Sequence, residues 1–236
     1  MNWESETMRR RAIVIAGLTA PLTGFVPAVA AASPVVLELF TSQGCSSCPP
    51  ADSLLGELSQ QPRIIALAWH VDYWNSLGWR DPFARAAWTD RQKDYARTLG
   101  EEVYTPALVV NGAAMVVGSD RAAVRHAIER AAPPSIAVTL RRVPTGTRAE
   151  FGAGAETMTA MLIAYDPRHD TQIGAGENQG RRLTEYRVVR DVTMFDRPSA
   201  VLTLPSLPPG QGAVLLLRDN AGRVLGAADL PSVGSA

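Results

Sequence analysis

Cys45 and Cys48 are the only two cysteines of the 236-residue chain, in the stretch Gly44-Cys45-Ser46-Ser47-Cys48-Pro49-Pro50. Three chemistries use such a pair: reversible thiol–disulfide exchange, a share of a metal site, or a structural clamp. A structural zinc takes four ligands, and the chain has no second C-x-x-C. His126 falls in an expected helix and His169 in a loop of the other half, which leaves His70 as the third ligand of a soft-metal site. A disulfide stabilises more as the loop it closes lengthens, and this loop is very short. Exchange is therefore the favoured reading. An inert clamp and Cu(I) binding, which soft thiolates select, are the alternatives, and no resident metal or cofactor is expected. A thiol at a helix N-terminus meets unpaired N–H groups and the positive end of the dipole, lowering its pKa from about 8.5 toward roughly 3.5–7.5. Cys45 is then the exposed nucleophile and Cys48 the resolving thiol. Ser46 and Ser47 are donors to the thiolate or simple polar filler. Pro49 disfavours the α conformation at Cys48, so the helix is expected to begin late.

The elements that position this pair follow from hydrophobic periodicity. VVLELF (35–40) and IIALAWHV (64–71) read as strands covered on both faces. Between them Ala51, Leu54, Leu55 and Leu58 mark one helix face. Asp81-Pro82 offers an N-cap and first-turn proline for a helix ending at Gly100. ALVVN and AAMVVG flank an Asn111-Gly112 hairpin turn, and Val124, Ala127, Ile128 and Ala131 mark a last helix stopped by Pro133-Pro134. The order is β-α-β-α-β-β-α, an α/β domain over 33–134. Residues 135–236 carry short apolar segments between glycine, proline and polar turns, including Asp219-Asn220-Ala221-Gly222. They predict an all-β domain of sandwich type.

Residues 35–230 resemble the thioredoxin-fold superfamily, and within it a group of secreted bacterial proteins of unassigned function. The resemblance is carried by ELFTSQGCSSCPPAD, WHVDYWNSLGWRDPF, YTPALVVNG and GENQGRRL. It implies a thioredoxin-like domain followed by a C-terminal β domain, and no particular substrate. It also implies that Thr105-Pro106 is a cis peptide opposite the cysteines, holding a substrate backbone. In that superfamily a buried acid on the strand before the cysteines relays a proton to the resolving thiol. Glu38 is the candidate here, one residue further from Cys45 than the pattern expects. Its alternative is an edge-facing, solvated or arginine-paired carboxylate. His70 and Trp74 are the expected substrate wall, within a cluster of Trp69, Tyr73, Trp74 and Trp79 that is otherwise core. GENQGRRL, with Glu177, Asn178, Arg181 and Arg182, reads as a solvated turn or an interdomain contact.

The N-terminus directs the chain outward. Arg9-Arg10-Arg11, an apolar run and Ala28-Val29-Ala30-Ala31-Ala32 are the parts of a signal peptide spanning 1–32, cleaved after Ala30 or Ala32. Met8 is an alternative start. Export to the periplasm or medium places the cysteines where disulfides persist, without stable membrane insertion after cleavage. Acidic and basic residues number 23 each, so net charge gives no attraction to nucleic acid. The expected function is an exported thiol–disulfide oxidoreductase acting on protein or peptide thiols and disulfides. The alternatives are Cu(I) handling through Cys45, Cys48 and His70, and a non-catalytic interaction module.

Overall fold

The computed structural model describes residues 33–204 and 206–233; the expected signal peptide lies outside them. The first half runs β1 (Val35–Thr41), α1 (Pro49–Leu58), β2 (Ile64–His70), α2 (Ala86–Leu99), β3 (Ala107–Val110), β4 (Ala114–Val117) and α3 (Arg121–Arg130), the expected order. After Pro134 come β5 (Val138–Val143), β6 (Gly146–Phe151), β7 (Thr159–Gln172), β8 (Arg182–Asp196), β9 (Val201–Leu204), β10 (Gly212–Arg218) and β11 (Val224–Leu230). No helix among the described residues is long and apolar enough to cross a membrane.

Strands from both sides of Pro134 share one mixed eight-stranded sheet, in the order β11-β10-β7-β8-β2-β1-β3-β4. The junction is a parallel contact of β8 with β2 at Val188 and Ala68, and the described residues belong to one compact unit. β5, β6 and β9 form a separate antiparallel sheet.

Burial explains the apolar runs. β1 and β2 are buried along their whole length. Val36 and Phe40 pack with Trp69, Trp88 and Tyr95 on the α2 side, while Leu37 and Leu39 pack with Leu54 and Leu55 of α1. β10 and the first half of β7 also bury both faces. Met161, Ile163, Val214 and Leu216 join the α2-side core, and Leu162 and Leu215 pack with Leu140 and Leu204 of the small sheet.

Two helix starts differ from expectation. α1 begins at Pro49 with Cys48 already in the α conformation, because prolines at the first helical positions lack an N–H that would have no helical partner anyway. α2 begins only at Ala86, because the Asp81 side chain is engaged in the site described below. It ends as expected at Gly100, in the left-handed conformation with φ 72°. At the β3–β4 turn, a Cβ on Gly112 would lie 2.2 Å from the Gly222 carbonyl oxygen of the β10–β11 turn. Only glycine allows these two hairpins to meet.

Candidate functional site around the Cys45–Cys48 disulfide

Cys45 and Cys48 are joined by a disulfide, with Cα atoms 5.4 Å apart. Their loop leaves β1 and is held on several sides. The Gln43 N–H donates to Asp81 Oδ2 (2.9 Å). Asn178 Nδ2 donates to the carbonyls of Gln43 and Cys45, each at 2.9 Å, and the Ser46 N–H donates to Glu177 Oε2 (3.2 Å). Trp74 lies against Gly44, where an added Cβ would meet Trp74 Cβ at 3.0 Å. Its Nε1 donates to Thr105 Oγ1 (2.9 Å), and Ser47 Oγ donates weakly to the Thr105 carbonyl (3.5 Å). Thr105-Pro106 is a cis peptide at the start of β3. The fold therefore brings Trp74, Thr105 and Pro106 beside the cysteine loop.

Two details correct the expected chemistry of the pair. Neither sulfur is presented to solvent: Cys45 and Cys48 are both 0% exposed, whereas Ser46 and Ser47 between them are exposed. Cys45 is thus not an exposed residue in the disulfide form. Nor does α1 offer the expected row of free donors. Pro49 and Pro50 have no N–H, and those of Ala51 and Asp52 donate to the Cys48 carbonyl at 2.8 and 3.1 Å. Ser47 Oγ, 3.3 Å from Cys45 Sγ, is the hydroxyl in contact with it.

Beneath the loop, on the α1 side of the sheet, lies a buried polar group. Thr41 pairs with His70 across the parallel β1–β2 register, and Thr41 Oγ1 donates to Asp52 Oδ1 (2.7 Å). His70 Nδ1 is 2.7 Å from Asp81 Oδ2, and its Nε2 is buried without a hydrogen-bond partner. His70 is 1% exposed, so it presents no surface to a substrate and serves under the site instead of in its wall. Gln43 Nε2 donates to Glu185 Oε1 (2.7 Å) and Thr171 Oγ1 (3.0 Å), while its Oε1 accepts from Trp79 Nε1 (2.9 Å).

These groups titrate differently because their partners differ. Burial pushes the Asp52 carboxyl up to about 7, against the opposing pull of His70 and the Thr41 hydrogen bond. Burial also raises Glu185. Asp81 is desolvated too, yet the His70 charge and hydrogen bonds from His70, Gln43 and Phe83 hold it below the usual carboxylate range. His70 in turn overcomes its desolvation through Asp81, Asp52 and Glu185, which raise its pKa. The hydrogen-bonded His70–Asp81 pair thus sits beside a carboxyl, Asp52, whose pKa is pushed up to about 7. Asp52 also lines a cavity of about 320 Å³ with Pro49, Ser53, Arg181 and Thr184.

Glu38 is elsewhere. It is fully buried with the α2-side residues of β1, and its carboxylate takes Arg91 Nε (2.8 Å) and Tyr95 OH (2.5 Å). The arginine-paired alternative is the one observed, and the buried carboxyl on the α1 side is Asp52. Asp52 sits one helical turn after Cys48, next to the apolar positions Ala51 and Leu55. Among the described residues, no group of three or more His, Cys, Asp or Glu side chains is arranged to hold a metal.

Residues 36–208 match the model of a family described as "Protein of unknown function (DUF1223)". The chain belongs to the DUF1223 family. An X-ray structure of an Agrobacterium tumefaciens protein, a structural-genomics target, is similar at 29% identity and TM-score 0.74, covering 87% of this chain and 97% of that one. HBP35 of Porphyromonas gingivalis matches at 14% identity and TM-score 0.48, covering 87% of this chain and 78% of its own. No curated protein matches. The DUF1223 family is described without an activity, so the functional reading rests on the site itself.

Proposed function

We propose that this DUF1223 protein is an exported thiol–disulfide exchange protein acting through Cys45 and Cys48 on a thioredoxin-like arrangement of the first half. The observation that carries this reading is a redox-capable pair at the start of α1, with a buried acid of near-neutral pKa one turn below it. The β-α-β-α-β-β-α order and the Thr105-Pro106 peptide beside the pair support it. In reduction, an incoming thiolate attacks Cys45 Sγ and forms a mixed disulfide, and the bond to Cys48 breaks. Cys48 leaves with the electron pair, and the Asp52 carboxyl supplies the proton that neutralises it. A second thiol then releases Cys45, so two thiols become one disulfide. Reduction of a substrate disulfide by the reduced Cys45/Cys48 dithiol runs the same steps backwards, with Asp52 receiving the proton of Cys48. His70–Asp81 holds Gln43 and hence the start of the cysteine loop. Trp74, Thr105 and Pro106 line its outer side, where a protein or peptide thiol would dock.

The test is covalent trapping. Cys48→Ser removes the resolving thiol, so mixed disulfides on Cys45 persist and appear as high-mass bands on non-reducing electrophoresis. They vanish in Cys45→Ser/Cys48→Ser. No adduct in Cys48→Ser under oxidising conditions overturns the exchange reading. Export is tested separately by the intact mass of protein recovered from the periplasm or medium, which should begin at Ala31 or Ser33; a cytosolic product that retains Arg9 contradicts it.

A further inference from the structure

The disulfide has a feature that exchange alone does not explain: both sulfurs are fully buried while the two residues between them are exposed. Residues 173–181, the tip of the long β7–β8 hairpin, lie on the cysteine loop. Asn178 is itself 0% exposed. It bonds the carbonyls of Gln43 and Cys45 through Nδ2 and accepts from Arg181 Nη1 through Oδ1 (2.8 Å). Glu177 takes the Ser46 N–H. The tip is also braced within itself, by Ile173 N to the Arg181 carbonyl and Gly180 N to the Ile173 carbonyl, both 2.9 Å. Gly176 and Gly180 adopt φ of +76° and +81° there, the left-handed region that glycine supplies without strain.

We infer that Asn178 and Glu177 form a latch that determines which thiols reach the Cys45–Cys48 disulfide, an inference that rests on the exchange reading above. A thiolate must gain access to a sulfur before it can attack, and neither sulfur is accessible while the tip is seated. Attack therefore follows parting of the tip from the cysteine loop. A narrow parting admits a low-molecular-weight thiol. A cysteine carried on a folded protein needs the whole tip displaced, because its flanking backbone must enter as well. Asn178 is the main fastening, since it is buried and holds two loop carbonyls at once; Glu177 is exposed and holds one N–H. Partial parting of the tip lets the protein exchange with small thiols, and full release of the latch opens it to protein thiols. In each case the incoming thiolate bonds to Cys45 Sγ as the Cys45–Cys48 bond breaks, and a second thiol takes the reductant off as its disulfide.

The experiment compares the rate of reduction of the mature protein by dithiothreitol and by reduced thioredoxin, a protein dithiol. The proteins are wild type, Asn178→Ala, Glu177→Ala and the distant surface variant Arg121→Ala. Loss of two buried hydrogen bonds should raise the thioredoxin rate about tenfold or more in Asn178→Ala, with a smaller rise for dithiothreitol and a smaller rise again in Glu177→Ala. Arg121→Ala should match wild type. Equal thioredoxin rates in wild type and both tip variants reject the latch and leave exchange standing. An equal rise for both reagents rejects its selectivity. A disulfide that neither reagent reduces in any variant rejects the exchange reading instead. Should Asn178→Ala fail to fold, Glu177→Ala, altered at an exposed side chain, decides the question alone.

Discussion

The two faces of β1 bury carboxyl groups in opposite ways. On the α2 face, Glu38 meets Arg91 and Tyr95, so both its oxygens are matched by donors, one of them a full positive charge. On the α1 face, Asp52 has a hydroxyl from Thr41, and the nearby His70 is committed to Asp81. The first arrangement fixes a charge and makes it a structural tie. The second leaves a carboxyl whose state is undecided near neutral pH. A buried acid becomes chemically useful where its ion pair is withheld, and only the second face lies under a disulfide.

This contrast is broken most severely at Arg91. Arg91→Met strands the Glu38 carboxylate in the core and should cost roughly 3–5 kcal/mol in urea unfolding, while Glu38→Leu/Arg91→Met should recover most of the loss. Next is Asp52→Asn, which has the opposite sign. The folded-state pKa of Asp52 is raised from 3.8 to about 7, so ionising it disfavours the fold, and this cost grows as pH rises above 3.8 and is complete above about 7. The variant should therefore be more stable than wild type at pH 8, on the order of a few kcal/mol, and equal to it at pH 3 to 4.

Asp81→Asn sharpens the picture from the paired side. His70's raised pKa makes its contribution full below its unfolded value and lost as pH rises through the folded one. Asp81's lowered pKa makes its contribution present above 3.8 and lost as pH falls through the folded value. The substitution should thus cost about 1–3 kcal/mol between those limits and less on either side, measured by thermal unfolding against pH. The smallest effect belongs to Arg121→Ala, which breaks an exposed pair with Glu57 and should leave the melting temperature unchanged.

The parts of the site that were legible in the sequence are the local ones. The cysteine pair, the strand before it and the helix after it follow from short-range pattern and turn chemistry, and Thr105-Pro106 from the resemblance to the thioredoxin-fold superfamily. Asp52 did not stand out because an aspartate in the first turn of a helix is ordinary, favoured there by the dipole alone. Its burial depends on the rest of the chain packing over α1: Gly56, a turn further on, lies so close to Tyr186 of β8 that an added Cβ would come within 2.4 Å of that ring. Asn178 lies 135 residues from the Gln43 carbonyl it holds, a distance no periodicity spans. The GENQGRRL run was visible, but its partner was not. Strands past Pro134 were readable as strands, but the separate sandwich-type domain expected over 135–236 is not what they build: β7, β8, β10 and β11 extend the sheet of the first half, through a pairing between strands more than 100 residues apart.

The claim that Asp52, and not Glu38, moves the proton of the Cys45–Cys48 couple is tested by one profile. The rate of disulfide reduction by dithiothreitol is measured from pH 5 to 9 for wild type, Asp52→Asn and Glu38→Gln, each normalised to the same reagent acting on oxidised glutathione. Wild type and Glu38→Gln should show an inflection near pH 7, with Cys48 leaving faster on the acidic side, and Asp52→Asn should show a flat ratio. An inflection that survives in Asp52→Asn, or one that disappears in Glu38→Gln, contradicts the account.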